Sequence, residues 1–177
     1  MPQLRDPNFV RSVVLLCEHG AQGALGFVVN RPTEVRAVDA VVLDPPASGD
    51  SGLMLWAGGP VESQRGFLLL GDDPGVEDSE RVAEGFHLTA SVDVLRRLLT
   101  AAPADTALRR ARLLLGYAGW GPGQLESELD QNAWFVVDLH NDDPFASDPD
   151  RLWRSVLRRQ RGEIAFFAHY PEDVTSN

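Results

Sequence analysis

Thirteen residues constrain this chain more than any others: Gly116-Tyr117-Ala118-Gly119-Trp120-Gly121-Pro122-Gly123-Gln124-Leu125-Glu126-Ser127-Glu128. Glycines and a proline at this density demand backbone paths that most residues avoid, so the stretch predicts a tightly specified corner. The apolar run Leu113-Leu114-Leu115 leads in and an acidic segment leads out, as when a strand turns into a helix. Pro122 suits a first helical turn, Leu125 and Leu129 share a helical face, and Glu126 and Glu128 complement the positive helix end. Strand-to-helix turns of this kind can cradle phosphates. Here neither GxxxxGK[ST] nor GxGxxG is present, and the two glutamates repel an anion. The expectation is a structural corner with Tyr117 and Trp120 as packing anchors.

Short apolar runs elsewhere predict strands over Ser12–Cys17, Ala24–Asn30, Leu53–Ala57, Arg65–Leu70, Gly85–Leu88, Arg112–Tyr117 and Ala133–Asp138. The first two, separated by Gly20-Ala21-Gln22-Gly23, read as a hairpin. Thr33 is placed to cap a helix with Val35, Val38, Val41 and Val42 on one face, ended by Pro45-Pro46. Thr89 or Ser91 starts a helix to about Leu99, with Val92, Leu95, Leu98 and Leu99 inward. Pro149 opens the last helix, with Trp153, Val156, Leu157 and Gln160 on its apolar face. Gly71 to Glu84 carries six acids and hardly a hydrophobe, the composition of a solvated loop, and Pro171 to Asn177 reads as a frayed tail. Hairpins mixed with helix-separated strands argue for an α+β fold. The 177 residues suit one domain, 1–177, without repeat or linker.

Net charge is −10, so a nucleic-acid partner would have to be met locally, against the overall field. The local exception is Arg151 to Arg161, with five arginines and no acid; the favoured reading of it is the ordinary solvated face of an amphipathic helix. All sixteen basic residues are arginine, which suits a biased codon composition. A single cysteine, Cys17, excludes an internal disulfide and fits a reducing cytoplasm. The start of the sequence lacks a signal-peptide pattern, and no run approaches the roughly 20 apolar residues of a membrane helix. The expected location is the cytoplasm, with no membrane partner.

Candidate chemistry is sparse. On a strand, Cys17 and His19 share a face about 6–7 Å apart, within range for an imidazole-activated thiolate. Cys17 also completes an apolar strand, where cysteine is commonly just buried. The four histidines have no HxH or HxxxH spacing, so no zinc signature forms, and no GxSxG elbow occurs. No catalytic residue, metal or cofactor is expected.

Several motifs bring a family into view. They are Leu4-x-Asp6-Pro7-x-Phe9-x-Arg11-Ser12-Val13, Glu18-His19, Gly23-Ala24-x-Gly26-x-Val28-x-Asn30-Arg31-Pro32 and Gly58-Gly59-Pro60-Val61. The stretch from Gly116 to Glu128, then Asn132-Ala133-Trp134 and Trp153, continue the series in order. In these the chain resembles the YqgE/AlgH proteins of bacteria; residues 161–177 form a less typical tail. The resemblance implies a branched, partly barrel-like mixed β-sheet surrounded by helices. It carries no agreed catalytic residues, and family members are often labelled transcriptional regulators. The leading expectation is a non-enzymatic interaction or small-ligand protein, its partner an unknown protein or small molecule. Its candidate binding residues are Asn30, Arg31, Gly59, Arg65, Tyr117, Trp120, Gln124 and Glu126. The alternatives are a nucleic-acid-binding regulator using Arg151–Arg161 and an enzyme using Cys17 and His19.

Overall fold

The computed structural model describes residues 8–140 and 143–169; the Leu4, Asp6 and Pro7 positions of the first motif and the Pro171–Asn177 tail lie outside the described residues. Eight strands form one branched sheet: β1 (Val14–Gly20), β2 (Gly23–Val28), β3 (Pro32–Arg36), β4 (Met54–Ala57), β5 (Val61–Leu70), β6 (Glu80–Ala83), β7 (Phe86–Thr89) and β8 (Ala111–Trp120). The path runs β1-β2-β8-β5-β7-β6, with β4 also on β8 and β3 beyond β4. Among the described residues only the β4–β8 pairing is parallel. The helices are α1 (Ala37–Ala40), α2 (Val92–Thr100), α3 (Thr106–Arg109), α4 (Gln124–Asp130), α5 (Pro149–Arg158) and α6 (Glu163–Phe167). The fold is α+β, as expected.

The branch is a property of β8. Leu113–Leu115 pair with β4 on one edge, and Ala118–Trp120 pair with β2 further along that edge. The opposite edge is held by β5, which pairs with Ala111–Leu115 and again at Tyr117. At the ends of the path, Cys17 of β1 and Val82 of β6 pack on one apolar cluster. The two edge strands therefore approach without pairing among the described residues, and the sheet is a nearly closed barrel.

Two cores use opposite faces of β8. Ala111 and Leu113 pack with Leu68, Leu70, Leu55 and the inner face of α2, while Leu114 packs with Phe27, Trp56, Leu69 and Phe86. Strict alternation would send Tyr117 to the α2 side along with Leu113 and Leu115. It packs instead in the second cluster, with Leu114. The phase is inverted at Gly116, whose φ of +68° is the left-handed conformation that glycine tolerates best. Space forbids a side chain there too. A Cβ on Gly116 would sit 2.4 Å from the Gly59 carbonyl oxygen and 2.7 Å from that of Val61.

Several expectations are corrected. The segment from Thr33 is strand β3 followed by the single turn α1, because its backbone is taken up by β4: Pro32 pairs with Trp56, and Thr33 Oγ1 donates to Leu55 O at 2.9 Å. Val42 is 95% exposed, so no valine face forms. The acidic loop contains β6, whose Val82 and Ala83 turn inward while Glu80 and Arg81 stay in water. The glycine-rich corner starts later than expected, because β8 continues to Trp120 and α4 begins only at Gln124. Ala133–Asp138 joins no sheet: the chain leaves α4 through Asn132 at φ +55° and is pinned there by Trp134. In α2, capped by Ser91, Val94 is buried and Val92 faces solvent. Helix α5 starts at Pro149 as expected, adds Leu152 to its buried face, and is followed by α6.

Gly116 and Gly52 separate strain from crowding. Both have φ near +70°, but nothing lies within 4 Å of a Cβ on Gly52. Gly52→Ala should cost only the left-handed strain, about 1–2 kcal/mol. Gly116→Ala adds overpacking against backbone and should cost roughly 2–5 kcal/mol in all. Urea unfolding of the two variants side by side checks this.

Candidate functional site

The second half of β8 gathers most of the glycines singled out in the sequence. Gly58 donates its N–H to Leu115 O at 2.8 Å, and its carbonyl accepts from Val28 N at 2.8 Å. Ala57 N donates to Arg31 O at 2.9 Å. A Cβ on Gly59 would fall 2.2 Å from the Tyr117 carbonyl carbon, and one on Gly23 would fall 2.2 Å from Trp120 O. These glycines are therefore where backbones cross at van der Waals limits, which polar ligands have no room to enter.

At the end of β8 the motif becomes a polar clamp. The Glu128 carboxylate accepts from Trp120 Nε1 at 3.0 Å, Trp134 Nε1 at 2.7 Å and Gln124 Nε2 at 2.9 Å. Gln124 Oε1 in turn accepts from Gly121 N at 3.0 Å. Phe9 packs against both indoles, stacked on Trp120 at 6.4 Å and edge-on to Trp134 at 5.4 Å. Burial pushes the Glu128 carboxyl upward, but bonds from Trp134, Gln124 and Trp120 outweigh it and hold the group below its ordinary value. Nearby, Glu126 Oε1 meets His19 Nε2 at 2.7 Å, tying α4 to β1. Its own backbone N–H first, and then His19, lower the Glu126 carboxyl.

The eight candidate residues thus fall into separate neighbourhoods. Gly59 and Tyr117 touch through their backbones, and Arg65 lies over Phe67 at 5.0 Å, beside Tyr117, while pairing with Glu62 at 3.0 Å. Trp120 and Gln124 converge on Glu128, and Glu126 turns to His19. Asn30 closes a loop by accepting from Val13 N and donating to Arg11 O, and Arg31 donates to Val10 O at 2.8 Å. Backbone proximity links Arg31 to Gly58, but their side chains serve different segments. Glu128, Phe9 and Trp134 were not among the candidates, although each stands in a motif; an acid eight residues beyond a tryptophan gives no signal until the chain turns.

Cys17 and His19 do not assemble a nucleophile. The β1–β2 register shifts between Leu16 and Glu18, the thiol donates toward Leu15 O at 3.6 Å, and His19 is committed to Glu126. Burial first, then Glu18 and Glu80, push the thiol up to about 12, so it is protonated at neutral pH. No group of three or more His, Cys, Asp or Glu side chains is placed to hold a metal ion among the described residues.

The arrangement of glycine crossing and tryptophan clamp reproduces the motif series in space, and comparison gives it a family. The AlgH-like family profile matches residues 1–165. The chain belongs to the AlgH-like family. A UPF0301 protein of Streptomyces coelicolor is 43% identical, with 99% of this chain and 91% of that protein covered. One from Ruegeria pomeroyi is 40% identical over 89% of this chain and 86% of its own. The solution structure of the AlgH protein from Pseudomonas aeruginosa superposes with a TM-score of 0.72 at 28% identity, covering 98% of this chain and 91% of that one. The AlgH-like fold positions a corner whose polar groups are largely consumed in holding it together.

Both clamp carboxyls lie below their ordinary value, so they stabilise the fold fully above about pH 4.5 and release that stability as pH falls through their lowered folded values. The melting temperature should drop between about pH 5 and pH 3, less steeply in Glu128→Gln. That variant should lose about 1–3 kcal/mol at neutral pH, with a shift in tryptophan emission. Separately, Cys17 in the folded protein should react with iodoacetamide at pH 8 at least about tenfold more slowly than in the urea-unfolded chain.

Proposed function

We propose that this AlgH-like chain is a non-enzymatic cytoplasmic protein whose partner docks on the bulged face of β5, beside Tyr117. The supporting observation is the bulge itself. Between Val61, paired with Tyr117, and Gly66, paired with Leu115, the chain of β5 leaves the ladder. Glu62 takes a φ of +47°, and Glu62 to Arg65 are all exposed. Pro60, Glu62, Ser63, Gln64 and Arg65 line an open depression of about 560 Å3. Irregular, polar, solvent-facing backbone on a rigid crossing is a usual setting for binding residues. Gly59, Arg65 and Tyr117 frame this surface, whereas Trp120 and Gln124 are engaged by Glu128 and Glu126 by His19.

The cytoplasmic assignment rests on the acidic balance and the lone cysteine; no helix among the described residues is long and apolar enough to cross a membrane. Nucleic-acid binding through Arg151–Arg161 has less to draw on. Arg159 makes paired bonds to Asp143 and Arg151 meets Asp148, so part of that positive charge is already neutralised.

A photo-crosslinking residue in place of Gln64, expressed in the native host, should yield a discrete adduct that the same residue at Asp78, in the loop before β6, does not. Charge reversal at Arg65 should suppress it. Identical adducts from both positions, or none from position 64, would rule out this docking face.

A further inference from the structure

Arg112 is the one charged residue of β8, between Ala111 and Leu113. Strand alternation places it on the face of Leu114, and its guanidinium lies over Trp56 at 4.3 Å and near Phe145 at 5.6 Å. One Nη donates to Ala111 O at 3.1 Å and the other to Ala146 O at 3.3 Å. Nε is shut off from solvent and finds no acceptor. Among the described residues no carboxylate pairs with it, and burial alone pushes its pKa down to about 10.

Arg159, which is more exposed than Arg112, behaves differently. It meets both oxygens of Asp143, with Nη1 to Oδ1 at 2.7 Å. Taking a cation out of water without such a partner costs several kcal/mol, and a ring contact returns only about 0.5–2 kcal/mol. Carbonyl oxygens supply partial charge. Among the described residues no full counter-charge faces Arg112.

The place for it is open. Arg112 lines a cleft of about 270 Å3 together with Trp56, Met54, Leu108, Ser51 and Arg109. Ser51 is buried, and its Oγ accepts from Leu53 N, which leaves the hydroxyl proton to donate. Arg109, in the last turn of α3, is exposed and brings a second guanidinium to the same cleft. Asp105 stands on its wall with Oδ1 engaged by Ala107 N at 2.9 Å; it disfavours a highly charged anion and favours a singly charged one. Trp56, Met54 and Leu108 offer an apolar surface for the remainder of a ligand.

We propose that this cleft, separate from the bulged face of β5, binds a small metabolite through one oxyanion group, a carboxylate or a phosphate, held between Arg112 and Arg109. Planar two-point donation to such a group is what a guanidinium does best.

Thermal unfolding of the full chain at matched ionic strength, with inorganic phosphate in one series and benzoate in the other, tests the site. At least one anion should raise the melting temperature saturably, and the stronger series identifies the headgroup. Arg112→Met keeps the stem and removes the charge; it should fold and lose the anion-dependent rise. Arg109→Gln, at the surface, should weaken the apparent affinity by about tenfold. As a readout that needs no variant, the Arg112 Nε–Hε proton resonance should move on titration. No saturable rise with either anion at about 50 mM, or an equal rise in both variants, overturns the proposal.

Discussion

Everything in this fold depends on one close approach of backbones, where Gly58 and Gly59 pass the carbonyls of Gly116 and Tyr117. A Cβ at Gly58 would meet Gly116 O at 2.4 Å, so the crossing is open only to glycine. What it secures is the branch: β4 and then β2 share one edge of β8 because the chain between them can lie this close to it. The two apolar cores form on either side of that same strand. Hydrophobic burial supplies most of the driving force, and the glycines decide which topology receives it.

The tryptophan clamp is a second constraint, and it depends on the first. Glu128 can collect two indole N–H groups because β8 delivers Trp120 to the start of α4 and the chain beyond α4 returns Trp134 to the same carboxylate. Hydrogen bonds to a carboxylate are among the stronger ones available, and partial burial keeps water from replacing them. A motif that looks in sequence like a ligand loop is in space a fastening. Polar groups not consumed by this fastening lie elsewhere, on the β5 bulge and around Arg112.

How much of this could be read in the sequence follows from the range of the forces involved. β1, β2, β5 and β7 announce themselves as short apolar runs, and α2 and α5 through Ser91 and Pro149, because those signals are local. β3 was misread because Val35, Val38, Val41 and Val42 do fit a helical period; the edge of β4, twenty residues on, decides otherwise. The phase inversion at Gly116 has no signature, since apolar residues occupy both parities on either side of it. Trp120, Gln124 and Glu126 stand out in the sequence as part of the glycine-rich motif, but that Glu128 fastens the corner depends on Trp134 across space. In sequence Arg112 is one of three arginines within four residues, Arg109, Arg110 and Arg112; that no carboxylate among the described residues pairs with it is a fact of packing alone.

Gly116 also bears on how the molecule comes apart. A strand that kept one phase would let each core belong to its own stretch of sheet, free to loosen separately. With the phase inverted, Leu114 and Tyr117 enter the same cluster from either side of the inversion, while Leu113 is anchored in the other. Amides of β8 from Leu113 to Ala118 are then expected to exchange with solvent only through global unfolding, making this strand the slowest-exchanging part of a single cooperative unit.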